Sequence, residues 1–210
     1  MIGKQTHNHS LIVQEFSLEK NQTVKRILVF IKSNLPEFEN LFHQSQLNIK
    51  LEDEISKELL RFFNDKARIE NLLFQFNEKK GVDFTVFLAY PFTMGASSIF
   101  MIEAKRLDKD KRDYVFGRTG GIERIKREQD EFGKHLNYGA MLGYIQIEDR
   151  LFWENRINSW IDDLINEETD LIWISDDKLK ANTKQADYSS LHQRVSGNLI
   201  TLYHYWITLN

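Results

Sequence analysis

Three charged residues interrupt apolar surroundings in this chain: Asp83 in "GVDFTVFLAY", and Glu103 and Lys105 in "SSIFMIEAKRL". Asp83 is the sole charge in "VDFTVFLAY". Glu103 and Lys105 follow an unbroken apolar run from Ile99 to Ile102. Such a run suits a central strand covered on both faces. Residues two apart on a strand point to the same side, so Glu103 and Lys105 share one face at the strand's end. A charge left unpartnered there is costly. Two arrangements satisfy it: a salt bridge to a neighbouring strand, or a metal ion with a phosphate.

A hairpin of 82–90 with 98–106, turned by "FTMGASS", sets Asp83 across from Glu103 and Lys105. Two adjacent carboxylates repel each other unless a cation lies between them. Oxygen donors suit Mg²⁺ (or Mn²⁺), an ion that keeps waters and serves phosphate substrates. A lysine beside it can hold a phosphate oxygen or orient an attacking water.

A fourth group comes from "LEDEISKELLRFF", whose apolar residues at 51, 55, 59 and 62 mark a helix. With Glu52 at 0° and about 100° per residue, Ser56 falls near 40°, Leu59 near −20° and Phe63 near 20°. Glu52 therefore lies on the buried stripe. Glu58, at about −120°, sits at its margin and is the second candidate. The competing role for Glu52 is to complement the helix dipole.

These residues need elements to hold them. "SLIVQEF" suggests a short strand. "QTVKRILVFIKSNL" suggests a helix ending before Pro36, because a residue preceding proline avoids helical geometry. "PEFENLFHQSQ" suggests a second short helix. "NLLFQF", "GVDFTVFLAY" and "IFMIEAKR" are expected strands, "GGIERIKREQDEF" a helix and "AMLGYIQI" a strand. "RLFWENRINSWIDDLINEE" is an amphipathic helix, and "LIWIS" and "NLITLYHYWITL" close the order as strands. Trp153, Trp160, Tyr203, Tyr205 and Trp206 are expected in the core. The pattern is mixed α/β.

The 210 residues fit one domain with an added arm. Absence of cysteine excludes disulfides and thiolate-held zinc, and points to a reducing cytoplasm. No apolar run is long enough for a membrane span, and "MIGKQTHNHS" lacks a signal peptide's apolar core. The His-Asn-His of that stretch is expected to be a solvated tail. Charge is unevenly spread. Residues 105–127 hold nine Lys/Arg against four acids, and 148–177 hold two Arg against ten acids. The basic segment is expected to face a phosphate backbone and the acidic one to lie away from it. Solvated surface is the plainer alternative. "GRTGG", Gly117 to Gly121, either offers N–H groups to a phosphate or is only a tight turn. Arg118 and Arg124 are the candidate phosphate contacts. Arg124 and Lys126 stand about 200° apart on a helix and cannot both face one site.

An acidic helix residue, then Asp83, then Glu103-Ala-Lys105 twenty positions on, resembles the PD-(D/E)XK nuclease superfamily. "LEDEIS" is similar to that family's helix motif, and "TGGIERIKRE" with "YGAMLGYI" to its small bacterial restriction or phage-defence members. Val82 stands where the name-giving proline would be. The resemblance spans residues 51–210 and leaves 1–50, read as a strand and helices, as an N-terminal extension. It implies a restriction-endonuclease-like fold: a mixed central sheet flanked by helices with an αβββαβ core. It implies Mg²⁺- or Mn²⁺-dependent hydrolysis of phosphodiester bonds in nucleic acid, with DNA the expected substrate. Asp83 and Glu103 would bind the metal, Glu52 would complete its site, and Lys105 would act on water and phosphate. A homodimer or a partner subunit would supply sequence reading. The alternative is an inactive relative that binds nucleic acid or a partner protein without cutting.

Overall fold

The computed structural model describes residues 7–45, 49–77, 81–91, 95–109, 112–117, 120–129, 133–182 and 184–210, with side chains from residue 22 onward. The chain opens with one long helix, α1 (His7–Gln44). The expected strand "SLIVQEF" is therefore helical, and the expected stop at Pro36 does not occur. A short apolar run does not distinguish strand from helix by periodicity. Past Pro36 the apolar stripe simply continues. Ile27, Ile31, Leu35, Phe38 and Phe42 are all buried at three- and four-residue spacing. Their burial outweighs the roughly 3 kcal/mol that a mid-helix proline costs. From Val24 to Phe42, α1 packs into the same core as the helix and sheet that follow.

The second helix, α2 (Glu52–Ala67), buries Ile55, Ser56, Leu59, Phe63 and Ala67, the stripe expected from its spacing. Strands β1 (Leu72–Phe76), β2 (Phe84–Leu88) and β3 (Phe100–Leu107) follow. After a 3₁₀ turn at Arg112–Tyr114 come α3 (Gly121–Lys126), β4 (Tyr138–Ile145) and α4 (Arg150–Asn166). A second 3₁₀ turn, Ser175–Asp177, precedes β5 (Lys180–Ala181), β6 (Tyr188–Gln193) and β7 (Leu199–Thr208). The helix expected from "GGIERIKREQDEF" is thus six residues long. "LIWIS" forms no strand: Leu171 and Trp173 are buried while Ile172 and Ile174 are exposed, an alternation made without a ladder partner. Its place beside the closing strand is taken by β6.

The seven strands run β1-β2-β3-β4-β7-β6-β5 in one mixed sheet. β1, β2 and β3 pair antiparallel, β3-β4 and β4-β7 parallel, and β7-β6 and β6-β5 antiparallel. Parallel neighbours need crossover connections, and α3 and α4 lie in those connections. One face is covered by α1 and α2, where Phe30, Phe63 and Phe74 meet with ring centroids 5.0–5.5 Å apart. The other packs α3 and α4 through Ile122, Ile125, Trp153, Trp160 and Trp206. The architecture is α/β, a mixed sheet flanked by helices on both faces. No helix among the described residues is long and apolar enough to cross a membrane.

Candidate functional site

β3 is covered on both sides: seven of its eight residues are buried, Glu103 and Lys105 among them. Phe100, Ile102 and Ala104 turn to the α1–α2 layer, and Met101 and Leu107 to the α3–α4 layer. Period-two alternation gives Glu103 and Lys105 the second of these faces. The ladder between β2 and β3 pairs Phe84 with Ile102. One step further in that register sets Asp83 beside Glu103, as the hairpin reading expected. Part of its turn, residues 92–94 of "FTMGASS", lies outside the described residues.

The geometry is that of a crowded ionic cluster. Lys105 Nζ donates to Glu103 Oε1 at 2.7 Å and lies 3.7 Å from Glu52 Oε1. Arg124 Nη1, from α3, is 3.3 Å from the same Glu103 oxygen. Asp83 Oδ2 accepts from the backbone N–H of Ala104 at 2.6 Å. Glu52 Oε2 accepts from the N–H of Arg106 at 2.8 Å. Glu52 opens α2, so its carboxylate sits at the end of β3. Between the two candidates on α2 the structure decides, because Glu58 instead pairs with Arg61 at 2.6 Å on the helix surface. One turn below Glu52, Ser56 bonds the hydroxyl of Tyr144 on β4 at 2.9 Å. That buried contact ties α2 to the central strands.

Electrostatics are strained in one direction. Burial pushes Glu52, Asp83 and Glu103 above the ordinary carboxylate range. Asp83 rises to about 7, first through burial and then through the charge of Glu103. Burial acts to lower Lys105, but Glu103, Glu52 and Asp83 together hold it above its usual value. Three carboxylates thus share Lys105 and Arg124, with Arg106 also acting on Glu52. Glu103 Oε2 is buried and has no protein donor among the described residues. An unsatisfied buried carboxylate oxygen is costly.

The donor set is all oxygen and carboxylate, which suits Mg²⁺ or Mn²⁺ over softer ions. It does not form a ready cage: among the described residues no three His, Asp or Glu side chains cluster closely enough to hold a metal. Lys105 occupies the space between Glu103 and Glu52 instead. Asp83 and Glu52 remain half-buried, so solvent reaches the cluster from their side.

The other candidates fare differently. Arg118 lies outside the described residues. Arg124 belongs to the cluster through Glu103. The "GRTGG" turn spends at least one of its N–H groups internally, since Gly117 donates to Glu123 Oε2 at 2.7 Å. The basic segment does not face one way. Arg112 pairs with Asp163 at 2.9 Å and Glu167 at 3.6 Å, and Arg127 with Asp170 at 2.6 Å. The acidic segment therefore neutralises part of the basic one, because α4 packs beside the 3₁₀ turn that carries Arg112. Trp153, Trp160, Tyr205 and Trp206 are core residues as expected, with Tyr203 partly buried.

A second buried polar cluster escaped the sequence reading. Lys126 Nζ bonds Asp177 Oδ1 at 2.5 Å, and neither side chain is exposed to solvent. Asp177 Oδ1 also bonds His192 Nδ1 at 2.5 Å. Ser190 Oγ lies between His192 Nε2 and His204 Nε2 at 2.5 and 2.7 Å. His204 Nδ1 then meets the Tyr114 hydroxyl at 2.8 Å, which accepts from Trp206 Nε1 at 3.2 Å. The one available signal was Ser190 and His192 two apart in "YSSLHQ", polar residues on the inward face of an unrecognised strand.

Comparison with family models, curated proteins and solved structures found nothing that matches this chain.

Proposed function

We propose that this protein is a divalent-metal-dependent phosphodiesterase of the PD-(D/E)XK type acting on nucleic acid, with DNA the expected substrate. The observation that carries the reading is Glu103: a buried carboxylate at the end of a central strand, one oxygen bonded to Lys105 and the other without a protein donor among the described residues. Asp83 and Glu52 stand beside it, and burial raises all three carboxylates. The element order α2-β1-β2-β3-α3-β4 supports the same reading.

Asp83 and Glu103 would hold the metal, and Glu52 would complete its surroundings. A bound Mg²⁺ would supply positive charge against the phosphate and make water a better nucleophile. Lys105 would donate to a non-bridging phosphate oxygen, where charge grows during in-line attack. Releasing Lys105 from Glu103 for that task leaves Arg124 as the remaining donor to Oε1. Arg124 would add a second donor at the same end of the sheet.

The test is cleavage of single- and double-stranded DNA and RNA with Mg²⁺, Mn²⁺ or chelator, by the wild type and by Asp83→Asn, Glu103→Gln and Lys105→Ala. Metal-dependent cutting lost in all three folded variants is the expected result. Cutting that survives in any of them removes that residue from the chemistry. Nucleic-acid binding without cutting would instead support an inactive relative. The 2.7 Å Lys105–Glu103 contact favours a third outcome, a salt-bridge network alone, if neither binding nor cutting is found.

A further inference from the structure

α3 has six residues, too few to be stable by itself. Its orientation must come from what it is fastened to. Arg124 and Lys126 leave it about 200° apart, and each ends on a buried acid. Arg124 meets Glu103, which is 1% exposed, and Lys126 meets Asp177, which is 0% exposed. The helix is clamped between the candidate site and the second cluster.

The two fastenings are unequal. Arg124 reaches Glu103 at 3.3 Å, with part of its side chain open to solvent. Lys126 is fully enclosed at 2.5 Å, lies 4.3 Å from the centre of the Trp173 ring, and accepts from Val195 N–H through its own carbonyl. Asp177 cannot swing away, because its other oxygen accepts from Ile174 N–H at 2.7 Å.

Behind Asp177 the hydrogen bonds run in only one direction. An ionised Asp177 accepts, so His192 carries its proton on Nδ1 and accepts from Ser190 on Nε2. The Ser190 oxygen then accepts from His204 Nε2, and His204 Nδ1 accepts from Tyr114. Tyr114 in turn accepts from Trp206. Every donor is used once, across β6, β7 and two 3₁₀ turns. At its other end α3 touches the site directly. A Cβ at Gly121 would collide with the Met141 methyl and stand 3.4 Å from Glu103 Cγ.

We propose that Lys126 is a positioning residue for the Asp83–Glu103–Lys105 site: its bond to Asp177 fixes how α3 lies, and so holds Arg124 against Glu103. Its value for catalysis rests on the nuclease reading above; the mechanical coupling does not.

The test follows hydrogen exchange of the Arg124 Nη–H groups, one of which bonds Glu103, by NMR, well below melting, in the wild type, Lys126→Met and Asp177→Asn. Phe74→Leu, in the other core layer, serves as a destabilised control. Exchange about tenfold faster or more in both α3-lock variants, but not in the control, is the expected result. If Lys126→Met does not fold, Asp177→Asn, which removes the counter-charge but keeps an oxygen for Ile174 N–H, carries the readout. Wild-type exchange at Arg124 in a folded lock variant would overturn the proposal. So would equal acceleration in Phe74→Leu, which would make Lys126 merely structural. Where cutting is observed, the lock variants should lower kcat more than they raise KM. Released Arg124 in a protein that never cuts would leave the lock standing and remove the nuclease reading alone.

Discussion

Asp83 is half-buried and Asp177 wholly buried, and the fold moves their protons in opposite directions. Asp177 is held below the ordinary range: burial opposes its ionisation, but His192 and Lys126 more than offset it. Asp83 is raised to about 7, because burial and the Glu103 charge outweigh what Lys105 and Ala104 return. Burial alone therefore does not distinguish a structural acid from a working one. The balance of donors does. Around Asp177 each oxygen has a donor and the histidines are kept neutral by burial, His204 strongly so. Around Asp83 and Glu103 one oxygen has no protein donor among the described residues, and each carboxylate is pushed up. Polar clusters that are completely satisfied stiffen a fold. Clusters pushed away from their ordinary protonation mark candidate sites.

The largest expected effect would break the structural side of this contrast. Asp177→Asn leaves the Lys126 ammonium buried without its counter-charge, a loss of about 3–5 kcal/mol. Chemical denaturation measures it, and a loss below 1 kcal/mol would show that the second cluster is no better anchored than the first. On the site side, Lys105→Ala should lower cutting by about 10²–10³ through loss of one donor to phosphate. Metal affinity in that variant should hold or tighten, since a neighbouring positive charge repels Mg²⁺. Titration with Mn²⁺ beside the rate assay checks both.

A smaller effect carries an unusual sign. The folded-state pKa of Asp83 is above its unfolded value of 3.8. Between these limits the folded protein keeps a proton that the unfolded chain releases, so stability falls as pH rises through about 7. Asp83→Asn keeps an acceptor for Ala104 and does not titrate. It should abolish cutting yet stabilise the protein at pH 8, on the order of 1–2 kcal/mol after allowing for screening, with the gain fading near pH 4. Melting curves at the two pH values decide it; a variant less stable than the wild type at pH 8 would mean that the cluster is architectural. The least effect belongs to Arg112→Ala. Its partners are on the surface, so stability should change by less than about 1 kcal/mol. Nucleic-acid affinity, measured across a salt series, should stay at the wild-type level, because Arg112 is committed to Asp163 and Glu167.

Much of this was legible in the residues themselves. Three adjacent strands, the amphipathic α2 and α4, and the meeting of Asp83 with Glu103 and Lys105 follow from periodicity and alternation, which are local. The helix angle ranked Glu52 ahead of Glu58 without excluding Glu58, which only the structure places against Arg61. The helix through Pro36 was not legible, because a proline's local cost is known while the core that overrides it is assembled from distant residues. The same holds for "LIWIS", whose alternation reflects burial against Lys126 and its surroundings rather than a ladder.

What the sequence determined by itself was thus a pair of acids and a lysine brought to one end of a sheet by strand geometry. Tertiary structure decided what those charges experience. Arg124 reaches Glu103 only because Gly121 lets α3 lie against it. Arg112 loses its availability because Asp163 and Glu167 of the acidic segment reach it, and Arg127 is shared between Asp170 and its own helix neighbour Glu123. Lys126, Asp177, Ser190, His192 and His204 become one hydrogen-bonded chain only when α3, a 3₁₀ turn, β6 and β7 meet. Spacing along a chain fixes direction within an element. Desolvation and charge pairing depend on what arrives from other elements, and no local pattern encodes that.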